Sequence, residues 1–247
     1  MHTCLINLAR DQDRLQAMAA QLDALQLPWV RVDAVYGRDL SPPQLAALYD
    51  AEANRRNYHQ PLVAGEIGCY ASHLAVWQRL LDEGRPMALV LEDDVQLSPA
   101  LLPVLEALRR LPPRWDMVKL IGRAREPVLQ QWPLTADAQL IRHRRVPSLT
   151  GAYVLSARGA QRLLSARRPF FRPIDVDLRY WWEAQLCIYG VQPYPVQHGE
   201  ASHQSSIGTK ARPPILQRWR KWTAQWSYSL SNVRANRALQ AEGDPFR

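Results

Sequence analysis

The segment Ala88-Leu89-Val90-Leu91-Glu92-Asp93-Asp94-Val95 constrains this chain most: a run of strand-forming apolar residues stops at three consecutive carboxylates. A short apolar run of this kind reads as a strand buried on both faces, as in parallel sheets. Unpaired carboxylates are not tolerated inside such a strand, so Glu92, Asp93 and Asp94 belong where it leaves the sheet. There they suit a hard cation, or the hydroxyls and phosphates of a polar ligand. Capping of a following helix is the competing reading, because Asp is favoured near helix N-termini.

The flanking sequence supplies the rest of a sheet. Leu5-Ile6-Asn7-Leu8 is a short apolar strand, and from Arg14 the residues Leu15, Met18, Ala19, Leu22 and Leu25 recur at helical spacing until Pro28. Trp29 to Val35 then alternates like a strand and stops at Gly37. Strand, helix, strand is the unit of a parallel sheet. Further along, a helical excursion is expected over 41–57, a helix from His73 to Gly84 and another over 99–111. Strands are expected at Trp115 to Ile121 and at Leu149 to Ser156, where Gly151 marks a bulge or the close approach of a ligand or another backbone. A helix over 157–166 and a second one carrying Trp181, Trp182 and Leu186 complete the body. The alternation predicts an open, doubly wound α/β fold, and 247 residues can bury a substantial core.

Charge and cysteine usage exclude several classes. Of the net charge of +8, the segment from Lys210 onward carries +6, with eight basic residues against Glu242 and Asp244. The body is therefore near neutral, which disfavours a nucleic-acid-binding face. Cys4, Cys69 and Cys187 are odd in number and widely spaced, so they read as reduced core residues and not as a disulfide or zinc framework. No apolar run reaches 18 residues and the N-terminus lacks a secretory pattern, so a cytosolic location is expected.

In open parallel sheets ligands bind beyond the carboxyl ends of the strands. The residues leaving strand ends here are Asn7 with Arg10, Asp33, the Glu92-Asp93-Asp94 cluster and Lys119. Carboxylates beside basic groups match a nucleoside diphosphate with Mg²⁺ or Mn²⁺. No G-x-G-x-x-G follows the first strand and no P-loop motif occurs, which disfavours a dinucleotide-dependent dehydrogenase and a P-loop NTPase. The histidines are scattered and read as structural, except His198 and His203 in a polar loop, where a late metal or phosphate ligand fits.

Several segments in consistent order resemble glycosyltransferase family 25. They are Ile6-Asn7-Leu8 with Arg10 and Asp13-Arg14, Gly65 to His73 with Trp77, Leu91 to Asp94, Thr150-Gly151-Ala152-Tyr153 with Ser156, and Pro173-Ile174-Asp175. The match spans roughly residues 3–210. The resemblance implies a GT-A-like fold, an open and mostly parallel sheet flanked by helices. It also implies a UDP-sugar donor, most often UDP-galactose, and inversion at the anomeric carbon. Asp94, Glu92 and His203 are then candidate ligands of Mn²⁺ or Mg²⁺, with Asp94 foremost. Asn7, Leu8, Arg10, Arg14, Asp33, Glu92, Asp93 and Lys119 would serve the donor. Asp175 is the candidate base for the acceptor hydroxyl, with Asp177 and Glu183 as rivals.

The expected organisation is a catalytic unit over 1–210 and a basic, aromatic tail over 211–247. In the tail Ile215, Trp219, Trp222, Trp226 and Leu230 recur at helical spacing among Arg218, Arg220 and Lys221. Such a helix suits the interface of an anionic bilayer, though an aromatic stripe can equally pack on the catalytic unit. The chain is thus expected to be a cytoplasmic enzyme, peripheral to the inner membrane, extending a lipid-linked oligosaccharide of the lipopolysaccharide or lipooligosaccharide type. A metal-dependent phosphohydrolase or nucleotidyltransferase could use the same acidic strand end. A non-enzymatic carbohydrate- or membrane-binding module is the third class.

Overall fold

The computed structural model describes residues 1–112, 114–123, 126–199 and 215–241. Its centre is an eight-stranded sheet. The strands expected from the sequence are β1 (His2–Asn7), β2 (Trp29–Asp33), β3 (Met87–Glu92), β5 (Met117–Lys119) and β8 (Ala152–Ser156). The hairpin β6 (Val128–Pro133) and β7 (Gln139–His143), together with β9 (Ile188–Gln192), widens the sheet to the order β2-β1-β3-β8-β5-β9-β7-β6. β8 and β7 run against the other six strands, so the sheet is mostly parallel in direction. This is the GT-A-like open sheet that the resemblance implies. A separate pair joins β4 (Val95–Leu97), directly after the acidic triplet, to β10 (Val196–His198).

Strand β3 alternates its side chains between two apolar layers, and both are covered. Ala88 and Val90 face one core with α4 (Ala64–Asp82) and α6 (Ala157–Ala166), while Leu89 and Leu91 face another with α1 (Gln12–Ala24) and α5 (Leu101–Arg110). With Val90 and Leu91 at most 1% exposed, each such side chain contributes roughly 1.5–3 kcal/mol by leaving water. β3 ends at Glu92, and the chain turns out of the sheet at the carboxylates before Val95 rejoins the layer of Leu89 and Leu91. The excursion over 41–57 forms α2 (Pro42–Leu48) and α3 (Ala51–Asn57), the latter started by Asp50, whose side chain accepts from the Ala53 N–H at 2.8 Å.

The segment expected as a second late helix differs. α7 (Ile174–Asp177) is one turn and passes into a 3-10 segment, Leu178–Ala184, kinked at Tyr180. Its direction is set by ion pairs instead of helical periodicity. Buried Asp177 meets Arg172 Nε at 2.7 Å and Arg167 Nε at 3.2 Å, and it accepts from the Tyr70 hydroxyl at 2.6 Å. Glu183 accepts from Arg167 Nη1 at 2.7 Å and from both Nη atoms of Arg172, while Arg167 Nη2 donates to the Tyr180 carbonyl at 3.0 Å.

The tail forms α8 (Ile215–Ala241), and its two sides differ. On the inner side Tyr228 is buried against Tyr180 and Trp182, and the Asn232 and Asn236 amides both donate to the Arg144 carbonyl, at 2.8 and 3.0 Å. On the outer side Trp222, Trp226, Leu230 and Val233 are 44–63% exposed. Trp222 and Trp226 thus do not pack on the body; Tyr228 does.

Candidate active site

The ends of β1, β2 and β3 and the first turns of α4 enclose a cleft of about 750 Å³, counting its open mouth. Asn7, Leu8, Arg14, Glu92, Asp93 and Asp94 line it together, with Asp11, Tyr36, Gly65, Cys69, Ser72 and His73 among their neighbours. One wall exists because two glycines meet. A Cβ on Gly37 would lie 1.9 Å from the Ala64 carbonyl oxygen, and one on Gly68 2.4 Å from that of Val35. Only glycine lets the loop after β2 rest directly on the backbone of α4.

The three carboxylates are held differently. Asp93 is clamped: the Asn7 amide donates to it at 2.7 Å and Arg14 lies 3.4 Å away. Burial raises its pKa, with Asn7 and Arg14 opposing. Asn7 is itself oriented by Arg31, whose Nε donates to its Oδ1 at 3.0 Å.

Glu92 faces His73 Nε2 at 3.2 Å. Burial by itself would raise the Glu92 carboxyl, but His73, the Thr150 hydroxyl and Lys119 together hold it below its ordinary range. Behind it runs a buried chain: the Trp77 indole donates to the Tyr153 hydroxyl at 2.9 Å, and that hydroxyl lies 2.7 Å from His73 Nδ1. Indole only donates and an ionised carboxylate only accepts, so in neutral His73 the proton sits on Nε2, toward Glu92. Gly151, the glycine noted in the sequence, gives its carbonyl to the Glu92 N–H, and a Cβ there would meet Val95 Cγ1 at 2.9 Å.

Asp94 has no side-chain hydrogen-bond or ion-pair partner among the described residues. Burial raises its pKa, and the charges of Glu92 and Asp93 add to this. The strand pair β4–β10 brings His198 opposite Val95, and the imidazole opposes part of that rise. A half-buried carboxylate facing a cleft, with no side-chain partner among the described residues, is the donor a hard cation takes, so the residues present fit Mn²⁺ or Mg²⁺.

The remaining candidates are placed as follows. Arg10 is half-exposed and stacks 4.2 Å over the ring of Tyr36, a cleft residue with no signal in the sequence beyond its place after β2. Asp33 is exposed at the end of β2, paired with Arg31 at 2.8 Å and away from the cleft lining. Lys119 is fully buried behind the site; burial brings its pKa down to about 8, with Asp175 and Glu92 opposing, and its ammonium donates to the Leu149 carbonyl. Asp175, at the start of α7, is half-buried; burial raises its pKa, opposed by the Val176 N–H and Lys119. Its rivals Asp177 and Glu183 are occupied by Arg167 and Arg172. His203 lies outside the described residues.

The fold and cleft therefore define an α/β protein with an acidic strand-end site for a charged ligand. The chain belongs to glycosyltransferase family 25: the family model described as "Glycosyltransferase family 25 (LPS biosynthesis protein)" matches residues 1–178. Human procollagen galactosyltransferase 2 is 32% identical over 180 residues, covering 70% of this chain and 28% of its own length. A glycosyltransferase 25 family member of Aedes aegypti is 28% identical over 183 residues. A bovine relative named "Probable inactive glycosyltransferase 25 family member 3" is 31% identical over 188 residues and covered over 30% of its length. The chain thus spans less than a third of these curated relatives. The crystal structure of a glycosyltransferase involved in glycosylation of the major capsid of PBCV-1 overlaps 91% of this chain and 98% of its own, at 9% identity and a TM-score of 0.37, too distant to bear on function.

Proposed function

We propose that this chain is an inverting, metal-dependent glycosyltransferase that moves galactose from UDP-galactose to a hydroxyl of a lipopolysaccharide or lipooligosaccharide core. The observation that carries the reading is the unpartnered Asp94 carboxylate beside a clamped Asp93 in a cleft bordered by Arg14. A family that includes a relative named as probably inactive makes this residue, and not membership alone, the warrant for turnover. The named galactosyltransferase relatives motivate the sugar, and the family model's description motivates the acceptor.

Asp94 would hold Mn²⁺ or Mg²⁺, with Glu92 and His203 as further candidate ligands; when bound, the ion supplies Lewis-acid stabilisation of the departing diphosphate. Asn7 and Arg14 keep Asp93 ionised and in place, and Tyr36, braced by Arg10, offers a ring face for the base. Asp175 takes the acceptor proton as the hydroxyl attacks opposite the leaving group, and its raised pKa suits it to the task. Asp175→Asn should leave UDP binding unchanged by calorimetry while lowering galactose transfer by about 10²–10⁴-fold. Wild-type transfer in that variant would eliminate Asp175 as the base. Release of free sugar phosphate or transfer of the nucleotide would favour the phosphohydrolase or nucleotidyltransferase class instead.

No helix among the described residues is long and apolar enough to cross a membrane. The outer stripe of α8, with exposed Arg234 and Arg237 beside it, fits the interface of an anionic bilayer, the cytoplasmic face of the inner membrane, where a lipid-linked acceptor would be met. The double variant Trp222→Ser, Trp226→Ser should lose co-sedimentation with anionic vesicles and keep its thermal midpoint. Unchanged sedimentation would reject this surface as the contact.

A further inference from the structure

We propose that Cys69, His73 and Glu92 form a second metal site, specific for a borderline or soft divalent ion such as Zn²⁺, which adjoins the hard-cation site at Asp94 and draws Glu92 away from it. Cys69 and His73 lie four residues apart on α4, so both project from one side of the helix, and Glu92 reaches them from the end of β3. One ligand atom from each lies within 4.8 Å of the other two, and all three residues line the cleft. The ion therefore has an entry path, and three protein ligands leave one coordination position facing the cleft, the pattern of an open zinc site.

The residue types select the ion. A thiolate and an imidazole favour zinc or cadmium, whereas Mn²⁺ and Mg²⁺ take carboxylate oxygens. His73 already has the support a metal-binding imidazole needs, since its Nδ1 lies 2.7 Å from the buried Tyr153 hydroxyl, which Trp77 holds in turn. On binding, the Cys69 thiol proton leaves to solvent and the sulfur bonds the ion. His73 moves its proton from Nε2 to Nδ1, the Tyr153 hydroxyl turns its own hydrogen away and changes there from donor to acceptor, and the freed Nε2 lone pair takes the ion in place of the hydrogen bond to Glu92. The surroundings are strongly negative: burial first, then Glu92, Asp175, Asp94 and Glu66, raise the Cys69 thiol well above its ordinary value, and a cation relieves that charge. Zn²⁺ bound there would compete with the donor for the cleft and inhibit transfer. That consequence rests on the proposed reaction, whereas the binding does not.

The test is titration of the chelator-stripped full chain with Cd²⁺, followed by the ultraviolet thiolate-to-cadmium charge-transfer band. The band should saturate at one equivalent, yield to Zn²⁺ but not to Mn²⁺, disappear in Cys69→Ser, and persist in Cys187→Ser. His73→Gln, which keeps the thiol, should weaken Cd²⁺ binding by at least about tenfold. No band in the wild-type chain, a band retained in Cys69→Ser, or unchanged affinity in His73→Gln would overturn the proposal. Mn²⁺ binding followed by electron paramagnetic resonance separates the two sites, because it should survive Cys69→Ser. Its absence in the wild type would remove the Asp94 site without touching this one.

Discussion

Asp94→Ala should abolish metal-dependent turnover, lowering UDP release by at least about a hundredfold with the fold intact. The other two carboxylates cannot substitute without breaking existing bonds, since Asp93 is taken by Asn7 and Arg14 and Glu92 by His73. Asp94 has no such bond to lose, so its removal takes away the cation and nothing that holds the chain together. Neutralising a leaving diphosphate through a metal is worth several kcal/mol of barrier, and each 1.36 kcal/mol is roughly tenfold in rate. Stability should rise slightly in the metal-free protein, because burial and two neighbouring charges disfavour the ionised Asp94. The measurement is a UDP-release assay across Mn²⁺ concentrations beside a thermal melt. Metal-stimulated release at the wild-type level would remove Asp94 from the site, and a collapsed melting transition would assign it a structural role instead.

Asp177→Ala should have the largest effect on stability, a loss of about 3–5 kcal/mol, because it leaves two buried guanidinium groups with the single carboxylate of Glu183 between them and takes the acceptor from the Tyr70 hydroxyl in the same step. Asp177, Arg167 and Arg172 are all at most 5% exposed, so water cannot replace the lost partner. At this chain length each kcal/mol moves the melting midpoint by about 2–4 °C, which places the expected fall near 10 °C. The network joins α4, α7 and the 3-10 segment, so its failure should also displace Asp175. Activity and stability would then fall together in Asp177→Ala, whereas Asp175→Asn loses activity alone. A stable, inactive Asp177→Ala protein would reverse the assignment and make Asp177 the base.

The difference between Asp175 and its rivals also shows where reading the sequence stopped. All three acids lie within nine residues, and as a local pattern each serves equally well as a base or a helix cap. Their separation depends on Arg167, Arg172 and Tyr70, the last 107 positions away from Asp177. The same holds for the tail, where helical spacing made a tryptophan stripe visible but not its direction. Tyr228, Asn232 and Asn236 dock α8, and the tryptophans Trp222 and Trp226 are left outside. The β6–β7 hairpin was not legible either, since Gln130, Gln131, Gln139 and Arg142 interrupt the apolar alternation that marks a strand.

What the sequence determined by itself is the local part: strand and helix periods, the strand exit at Glu92, the glycines beside it and the family these segments resemble. Those signals survive in a linear reading because neighbouring residues share one element, and the period of that element orders them. Tertiary structure alone decided which carboxylate is free. Asp93 and Glu92 are engaged by Asn7, 86 positions away, and by His73, 19 positions away, through pairings that exist only once β1, β3 and α4 have packed. Burial then raises the charge cost of Asp94, and the absence of a partner among the described residues leaves that cost for a bound cation to relieve.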